Sequence, residues 1–324
     1  MSDRPYDLLV VGELNADILV GADAVPVFGQ FEKIVDQVVV TGGGSAGIFA
    51  AAASRLGLNV LYASVVGDDL FGHMLLDVMR EAGVDVRHVV VDPKVSTGVT
   101  VHLLTPDGDR AMLTDLGSIT AITSRVIDPA WYSSVRHLHL VSPFLLSGLR
   151  PAMPDMIAQA HRQGVTVSLD TNWDPAERWD VADLISEVDL LMPNEAELCA
   201  LTGHDEVDEA LIEMCTRVPV VALKRGSRGA TGAQGNERVI TPAFQVKTVD
   251  GTGAGDTFDA GFLAAWLRGA TLQQALVAGA AAGALNTISR GGFGDHLSWQ
   301  AVLALVEAQS PALYGSLAVL GPVR

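Results

Sequence analysis

The stretch Val249-Asp250-Gly251-Thr252-Gly253-Ala254-Gly255-Asp256-Thr257-Phe258-Asp259-Ala260-Gly261 decides how the fold of this chain is interpreted. Its first half is a glycine-rich turn in which backbone N–H groups can converge on an anion. Its second half begins a predicted helix over residues 254–268, with Phe258, Phe262 and Ala265 on one face. Because the unpaired N–H groups and the positive end of the helix dipole point the same way, the stretch predicts an anion site.

Asp256 lies in the first turn of this predicted helix, beside the anion site. A carboxylate there repels a phosphate, unless its task is to take a proton from a hydroxyl that attacks the phosphate. The structural alternative is an acid that the helix dipole favours at an N-terminus, which is common in first turns. Taken alone, Asp256 leaves both interpretations open.

The stretch closely resembles the C-terminal signature of the ribokinase-like (PfkB) family of carbohydrate kinases. The resemblance implies that Gly253, Ala254 and Gly255 form the anion hole and that Asp256 is the catalytic base. The reaction it implies is ATP-dependent phosphorylation of a primary hydroxyl of a sugar or sugar-like substrate, with Mg²⁺. The residues that it places at the ATP are Asn194, Lys224, Gly226, Thr252, Gly253, Gly255 and Asn286.

Two further elements of the resemblance concern metal ions. Asn194 and Glu197 lie one helical turn apart and match the family's Asn-x-x-Glu element, which implies that Glu197 meets Mg²⁺ through water. A capping box, with Asn194 as the N-cap, is the structural alternative. Carbonyl groups near Asp250, Thr252 and residues 289–294 resemble those that hold a monovalent cation such as K⁺ in ribokinase.

Asn15 and Asp17 come just after an apolar strand over residues 7–12 and face the same side of an extended chain. Sheets of the α/β class bind ligands at such strand ends, although an Asx turn without a ligand explains the spacing equally well. The resemblance implies that both side chains bind sugar hydroxyls and that Gly42 and Gly43 pack close to the sugar.

Gly42, Gly44 and Gly47 also form G-x-G-x-x-G between a strand and a helix, with Asp68 and Asp69 about 20 residues further on. This pattern leaves a dinucleotide-binding dehydrogenase available as an alternative. Against it, the two aspartates lie in a sequence typical of a helix start, where neither would reach a ribose.

Residues 42–57 resemble the N-terminal signature of the family. Within them the chain departs from ribokinase, which has a lysine where Gly44 stands and an asparagine where Gly47 stands. Ribokinase also has an acid at about the position of Val141. We expect these losses to enlarge the floor of the sugar pocket, which argues against ribose as the substrate. A nucleoside kinase is therefore an alternative within the family. A non-catalytic nucleotide- or sugar-binding protein is an alternative outside enzymes, but it has no need of Asp256.

From residue 136 onward, short apolar strands alternate with amphipathic helices, which predicts βαβ units and a parallel sheet. The resemblance implies a ribokinase-like three-layer α/β/α domain with a central, mostly parallel sheet and a small β-sheet lid. The predicted main domain comprises residues 1–12, 41–92 and 119–324, and the predicted lid comprises residues 13–40 and 93–118. Lid sheets of this family often pair between subunits, so we predict a homodimer through the lid.

The composition bounds the class of protein. With 324 residues, 49% of them hydrophobic, the chain can form one large α/β domain with a sizeable core. A formal charge of −17 argues against a nucleic-acid partner. Cys199 and Cys215 have neither metal-site spacing nor a disulfide framework. Since no signal peptide or membrane span is predicted, we expect a cytoplasmic enzyme of a small-molecule sugar or nucleoside.

Overall fold

The computed structural model describes residues 4–21, 23–105, 110–294 and 296–321. Its strands, in chain order, are β1 (Tyr6–Val11), β2 (Asn15–Val20), β3 (Val38–Gly43), β4 (Val60–Gly67), β5 (Val89–Asp92), β6 (Val99–Leu104), β7 (Arg110–Asp115), β8 (Val135–Val141), β9 (Thr166–Asp170), β10 (Leu190–Leu191), β11 (Val220–Lys224), β12 (Ala230–Gln234) and β13 (Glu237–Thr241).

The helices interleave with these strands. They are α1 (Ser45–Arg55), α2 (Leu70–Glu81), α3 (Met153–Arg162), α4 (Ala182–Ile185), α5 (Glu195–Thr202), α6 (Val207–Met214), α7 (Ala254–Trp266), α8 (Leu272–Asn286), α9 (Trp299–Gln309) and α10 (Pro311–Ala318). Within the described residues, no helix is both long and apolar enough to cross a membrane.

The main sheet has nine described strands in the order β13-β12-β11-β10-β9-β8-β1-β4-β5. Its neighbours are parallel except at β12, which runs antiparallel to both β11 and β13. In β1, Leu8 and Val10 face one hydrophobic core while Leu9 and Val11 face the other, and all four are fully buried. Because both faces of a mostly parallel sheet are covered, the domain has the predicted three-layer α/β/α architecture.

Helix boundaries follow local capping. The apolar positions of residues 70–81, followed by Gly83, predict a helix, and α2 has these bounds because the Asp69 carboxylate accepts from the Gly72 N–H at 2.8 Å and fixes the start. The alanine-rich stretch of residues 276–289 predicts another helix, but α8 begins four residues before that stretch. Thr271 and Gln274 form a capping box there, and this Thr-x-x-Gln signal was overlooked.

The lid is a separate four-stranded sheet in the order β3-β2-β6-β7. Residues paired across its strands share a face. One row, Thr41–Asp17–Thr100–Thr114, is polar throughout, and the next, Val40–Ile18–Val101–Leu113, is apolar throughout. Asp17 and Thr100 are buried, whereas Val40 and Leu113 are 46% and 62% exposed. The lid therefore turns its polar row inward and its apolar row outward.

Two boundary predictions concern the lid. β3 crosses the domain boundary that we predicted at residue 40, so the glycine-rich segment before α1 belongs partly to the lid sheet. β6 and β7 pair antiparallel as the hairpin prediction requires, while the predicted turn at residues 106–109 lies outside the described residues.

Candidate active site

The glycine-rich turn opens α7 as the sequence predicts. Gly253 is the N-cap with φ of 73°, and a Cβ atom there would lie 2.7 Å from the Cα of Gly292, so only glycine fits. The N–H groups of the first helical turn have no acceptor within the helix. The Ala254 N–H donates at 3.2 Å to the carbonyl of Gly251. The anion site is thus centred on the N–H groups of Gly255 and its neighbours in this turn.

Asp250 and Asn286 brace this turn from behind. The Asp250 carboxylate accepts from the N–H and hydroxyl of Thr252 at 2.9 and 2.8 Å, and from the Gly291 N–H at 2.9 Å. The Asn286 amide donates to the Thr252 carbonyl at 2.7 Å. Asn286 is buried behind the turn, so its predicted contact with adenine stays a prediction, as does the monovalent cation near Asp250.

A cavity of about 530 Å³ adjoins the turn. Gly251, Ala254 and Gly255 line its end at the anion site, and Lys224 and Gly226 line one side. The remaining wall is largely apolar and includes Ala243, Phe244, Val246, Phe258, Ala280, Gly283 and Ala284. A flat apolar wall that leads to converging N–H groups suits a nucleotide whose base lies on the wall and whose phosphates reach the turn.

Asp256 is half-buried in the first turn of α7, at the anion end of the cleft. Burial raises the pKa of Asp256 to about 8, and the charge of Asp170 adds to the rise. The charge of Lys224 and a hydrogen bond from the Ser45 side chain oppose it. A carboxylate whose pKa is near neutral pH is suited to general base catalysis.

Lys224 is held between two buried carboxylates. Its Nζ lies 2.7 Å from Asp170 Oδ2 and 3.2 Å from Asp259 Oδ2, and it would be 3.5 Å from a Cβ atom placed on Gly255. Lys224 therefore lies beside Gly255, and its ammonium group is already paired with acids that the sequence did not single out. Its contact with the ATP phosphates stays a prediction.

Lys224, Asp170 and Asp259 form a triad of largely buried ionisable groups whose charges balance one another. Burial lowers the pKa of Lys224, but the neighbouring carboxylates outweigh burial and raise it. Burial raises the pKa of Asp170, but the charge of Lys224 together with the hydrogen bonds from Asp259 and Lys224 outweighs that effect and lowers it. Burial raises the pKa of Asp259 well above its ordinary value. These directions favour the charge on Lys224 and Asp170 and disfavour it on Asp259, which reduces the uncompensated buried charge.

Asn194 and Glu197 form a reciprocal capping box at the start of α5. Both carboxylate oxygens of Glu197 accept from Asn194, one from its N–H at 2.8 Å and one from its amide at 2.6 Å. Burial and the charge of Asp170 raise the pKa of Glu197 to about 7. This is the structural alternative weighed above, and the role of Glu197 towards Mg²⁺ stays a prediction.

No cluster of three or more acidic, histidine or cysteine side chains in the described parts of the chain could hold a metal ion.

Asn15 and Asp17, the predicted sugar-binding residues, lie together on β2 of the lid. The Asn15 amide donates to Asp17 Oδ1 at 2.9 Å, and both residues are buried. A Cβ atom on Gly43 would lie 2.3 Å from the Asp17 carboxylate, while one on Gly42 would lie 2.8 Å from the Phe293 ring. Gly43 thus leaves space for Asp17, and Gly42 leaves space for Phe293. His102, on the inner side of the lid, has its Nε2 3.4 Å from Asp17 Oδ2.

The expectation that Gly44 and Gly47 enlarge the pocket floor is wrong. A Cβ atom on Gly44 would lie 2.7 Å from Asn15 Oδ1, and one on Gly47 would lie 2.7 Å from Leu14. Since the space beside both glycines is filled, they are positions of close packing. The dinucleotide interpretation also loses support, because Asp69 caps α2.

Trp173 and Asp174 support their own loop. The buried Asp174 carboxylate accepts from the N–H groups of Ala176, Arg178 and Trp179 at 2.7 to 2.9 Å. The rings of Trp173 and Trp179 meet edge to face at 4.9 Å. These contacts give both residues a structural role.

Sequence reasoning missed Glu13, which lies just after β1 and is 2% exposed. Its Oε1 accepts from the Ser142 hydroxyl at 2.6 Å and from the Ser45 N–H at 3.1 Å, and burial raises its pKa. The signal in the sequence is an acid two residues after the last residue of β1, at the end of the sheet where Asn15 and Asp17 were predicted to bind the sugar.

Ser142 connects Glu13 with the triad. The Asn172 amide donates to the Ser142 hydroxyl at 3.2 Å, and the Asn172 N–H donates to Asp170 Oδ1 at 3.3 Å. Polar contacts therefore run along the carboxyl ends of β1, β8, β9 and β11 and return to α7, which carries Asp256 and Asp259.

Comparisons with known proteins agree with this geometry. The sequence matches the profile of the pfkB family carbohydrate kinases over residues 6–297. It is similar to an ATP-dependent ribose-1-phosphate kinase of Halopiger xanaduensis, with 33% identity over 280 residues that cover 86% of this chain and 91% of that one. It is 28% identical over 298 residues to a ribokinase of Haemophilus influenzae, covering 88% and 93% of the two chains. Its fold is similar to that of a putative ribokinase II from E. coli in complex with ATP and Mg²⁺, with a TM-score of 0.84, 24% identity, and coverage of 94% and 100%.

Proposed function

Since this chain belongs to the PfkB family of carbohydrate kinases, we propose that Asp256 is the base with which it phosphorylates a primary hydroxyl of a sugar or sugar-like substrate. The chain is an ATP-dependent sugar kinase, a phosphotransferase. The substrate, the roles of the site residues, the cation requirement and the assembly are what we propose.

In the proposed reaction, Asp256 takes the proton of the substrate hydroxyl. The oxygen attacks the γ-phosphorus of ATP in line, the bond to the β,γ-bridging oxygen breaks, and ADP leaves. The turn of Gly253, Ala254 and Gly255 stabilises the charge on the transferring group, through the Gly255 N–H first, since the Ala254 N–H also donates to the Gly251 carbonyl. Mg²⁺ bound to the nucleotide would neutralise part of the phosphate charge.

One observation carries this proposal. Asp256 lies within one helical turn of a site built for an anion, and its pKa is raised to about 8. A residue that only bound phosphate would not be an acid. The same argument speaks against a non-catalytic binding protein, because an acid at an anion site weakens binding without a compensating gain.

For the substrate we favour a pentose or a pentose phosphate. The Halopiger relative is named for ribose 1-phosphate and the Haemophilus relative is a ribokinase, and Asn15 and Asp17 supply an amide and a carboxylate for sugar hydroxyls. The nucleoside alternative depended on open space at Gly44 and Gly47. Because that space is filled, no observation on the structure favours it.

The test is ADP release with Mg-ATP over ribose, ribose 1-phosphate, hexoses, keto-deoxy sugar acids and nucleosides. Asp256→Asn is assayed beside the wild type. We expect turnover on one class and a loss of about 10³-fold in kcat in the variant, with nucleotide binding retained. Turnover that survives in the variant would remove Asp256 as the base. Turnover on nucleosides alone would replace the sugar with a nucleoside.

A monovalent cation near Asp250 and Thr252 is a separate proposal. Supporting it, Asp250 ties the turn to the 289–294 loop through Gly291, so a cation held by carbonyls of both segments would tighten the anion site. We expect higher kcat in K⁺ than in tetramethylammonium at equal ionic strength. Equal rates in the two salts would contradict a cation requirement.

We further propose that two chains pair through the outer row of the lid. Its apolar side chains are partly exposed, and pairing would remove Val40 and Leu113 from water. Light scattering should report a dimer for the wild type and a monomer for Val40→Asp. Ile240→Asp, at an even more exposed apolar position on β13, is the control. A wild-type monomer would contradict the pairing.

A further inference from the structure

His102 on β6 is a buried histidine whose ring makes no hydrogen bond within the described residues. Its side chain is 6% exposed, and both ring nitrogens, Nδ1 and Nε2, are buried. A neutral imidazole presents one donor and one acceptor in either tautomer. Leaving both unmatched in the interior costs stability, so the ring calls for a partner that these residues do not supply.

The buried histidines of the main sheet differ from His102. In His137 on β8, Nδ1 and Nε2 each lie 2.7 Å from a hydroxyl oxygen, that of Thr166 and that of Ser168. In His139, two residues further on, Nδ1 lies 2.7 Å from the same Ser168 hydroxyl. The protein therefore supplies hydrogen bonds to the imidazoles that are buried in its core, whereas none of the described residues supplies one to His102.

His102 and Asp17 share the inner face of the lid. His102 pairs with Leu19 of β2, and Leu19 is two residues along the strand from Asp17, so both side chains point to the same side. His102 Nε2 lies 3.4 Å from Asp17 Oδ2 without a hydrogen bond between them, while Asp17 Oδ1 already accepts from the Asn15 amide. Nε2 and Oδ2 are therefore close enough for one ligand atom to contact both.

We propose that His102 is a specificity-determining residue that binds, together with Asp17, one non-reacting hydroxyl of the sugar. The hydroxyl donates to Asp17 Oδ2 and accepts from the Nε2–H of His102. The ring proton belongs on Nε2, because a lone pair there would face the carboxylate oxygen, and Nδ1 is then an acceptor for a water or a second hydroxyl. The inference rests on the proposed sugar kinase function and names a group that the substrate must carry.

The chemistry of this pair selects a neutral hydroxyl. A hydroxyl both donates and accepts, so it satisfies a carboxylate and an N–H at once. A deoxy carbon leaves both buried groups unmatched, which is how a site rejects a close analogue most strongly. A carboxylate or phosphate group has no proton to offer and would be repelled by Asp17. The site should therefore prefer a sugar over its deoxy and acidic analogues at that one carbon.

The test combines enzyme variants with deoxy sugars. His102→Phe keeps a planar ring and removes both polar atoms, whereas His102→Gln keeps a donor at about the reach of Nε2. We measure kcat/KM with Mg-ATP for ribose and for 2-deoxyribose, 3-deoxyribose and 1,4-anhydroribitol, each of which lacks one hydroxyl. His102→Phe should lower kcat/KM for ribose about 10- to 100-fold through KM for the sugar, with kcat and KM for ATP unchanged. His102→Gln should recover part of this loss.

One of the three analogues should give the wild type and His102→Phe the same low kcat/KM, because the hydroxyl that His102 contacts is already missing from it. A loss in His102→Phe that is equally large on every analogue would overturn the inference. An unchanged KM for ribose, or a rise of KM for ATP in parallel with KM for ribose, would also overturn it.

The Tm of the free protein is a second readout that needs no substrate. Because His102→Phe removes two unmatched polar atoms, its Tm should lie at or above that of the wild type. His137→Phe is the matched control, since it breaks two formed hydrogen bonds, so its Tm should fall by several degrees while KM for ribose stays near the wild-type value. A Tm of His102→Phe below that of the wild type would indicate a structural histidine and overturn the inference.

The proposed function and the role of His102 fail on different results. If the wild type phosphorylates no sugar, the proposed function fails, whatever the comparison of Tm gives. If it phosphorylates ribose but no analogue abolishes the effect of His102→Phe, only the role of His102 fails. If it phosphorylates another sugar instead of ribose, the monodeoxy forms of that sugar replace those of ribose, and the same outcomes decide.

Discussion

The two proposed binding regions are built differently. The proposed nucleotide site offers mostly backbone and small apolar groups: the N–H groups after Gly253 and an apolar wall of α7 and α8. The proposed sugar site offers side chains, Asn15 and Asp17 on β2 with His102 on β6. The first end comes largely from one continuous stretch of chain. The second is assembled from strands far apart in the sequence.

This difference between the nucleotide and sugar ends indicates which part of the proposed reaction each end controls. N–H groups and glycines accept any nucleotide phosphate, so the chemistry needs only a rigid turn with a base beside it. Side chains on lid strands can change one at a time, so the choice of sugar can vary while the transfer step stays the same. Variants at the two ends should therefore have separable effects, and those at the nucleotide end should be the larger.

Lys224→Met should cause the largest loss. It leaves the Asp170 carboxylate buried without its cation, which costs about 3–5 kcal/mol of the free energy of unfolding. Asp259→Asn is the matched variant, and because burial raises the pKa of Asp259 well above its ordinary value and disfavours its charge, we expect less than about 1.5 kcal/mol. Urea denaturation measures both. Equal losses in the two variants would show that Asp259 is ionised.

Gly253→Ala should come next. Alanine at a φ of 73°, with its Cβ 2.7 Å from Gly292 Cα, should cost about 2–4 kcal/mol and lower kcat as the turn shifts. Gly251→Ala is the control, since no atom lies within 4 Å of the added methyl group, and it should change stability by less than about 0.5 kcal/mol. A tolerated alanine at residue 253 would mean that the turn is not rigid.

Asp17→Asn should act at the sugar end alone. Loss of a charged acceptor for a sugar hydroxyl should raise KM for the sugar by about 10- to 100-fold, with KM for ATP unchanged. Thr114→Val, in the same lid row, should leave both constants near the wild-type values. A parallel rise of KM for ATP would break the separation between the two ends.

Asp256→Asn should have the smallest effect on stability, and a favourable one. Because burial raises the pKa of Asp256 to about 8, the folded protein binds this proton more tightly than the unfolded chain does. As pH rises between about 4 and 8, deprotonation of Asp256 therefore lowers the free energy of unfolding of the wild type. The asparagine variant does not lose this stability, so its Tm should exceed that of the wild type by a few degrees at pH 8 and match it at pH 4. A constant difference in Tm at both pH values would exclude this cause.

The sequence predicted what is encoded locally. The αL turn at Gly253, the position of Asp256 on α7 and both ends of α2 depend on neighbours within a few residues, and the structure has each where we expected it. The alternation of short apolar segments with amphipathic ones was likewise sufficient to predict the parallel sheet. The two-residue period of a strand and the 3.6-residue period of a helix can each be recognised without knowing which elements pack together.

What could not be predicted depends on strand ends that meet only in the folded sheet. Asp170, Asp259 and Glu13 are ordinary acids in the sequence, and their pairing with Lys224 and Ser45 follows from strand order. The packing at Gly44 and Gly47 also came from distant atoms, those of Asn15 and Leu14. Comparison with ribokinase identified missing side chains there but could not show what fills their place.

The lid sheet has its polar row facing inward and its apolar row facing outward, and this arrangement gives the proposed dimer a kinetic signature. A single sheet carries Asp17 on one face and the apolar row on the other, so order imposed on either face restrains both. If pairing and sugar binding each favour the same arrangement of the sheet, each must strengthen the other by the same factor. Specific activity at low sugar would then rise with enzyme concentration, and saturating sugar would abolish that dependence.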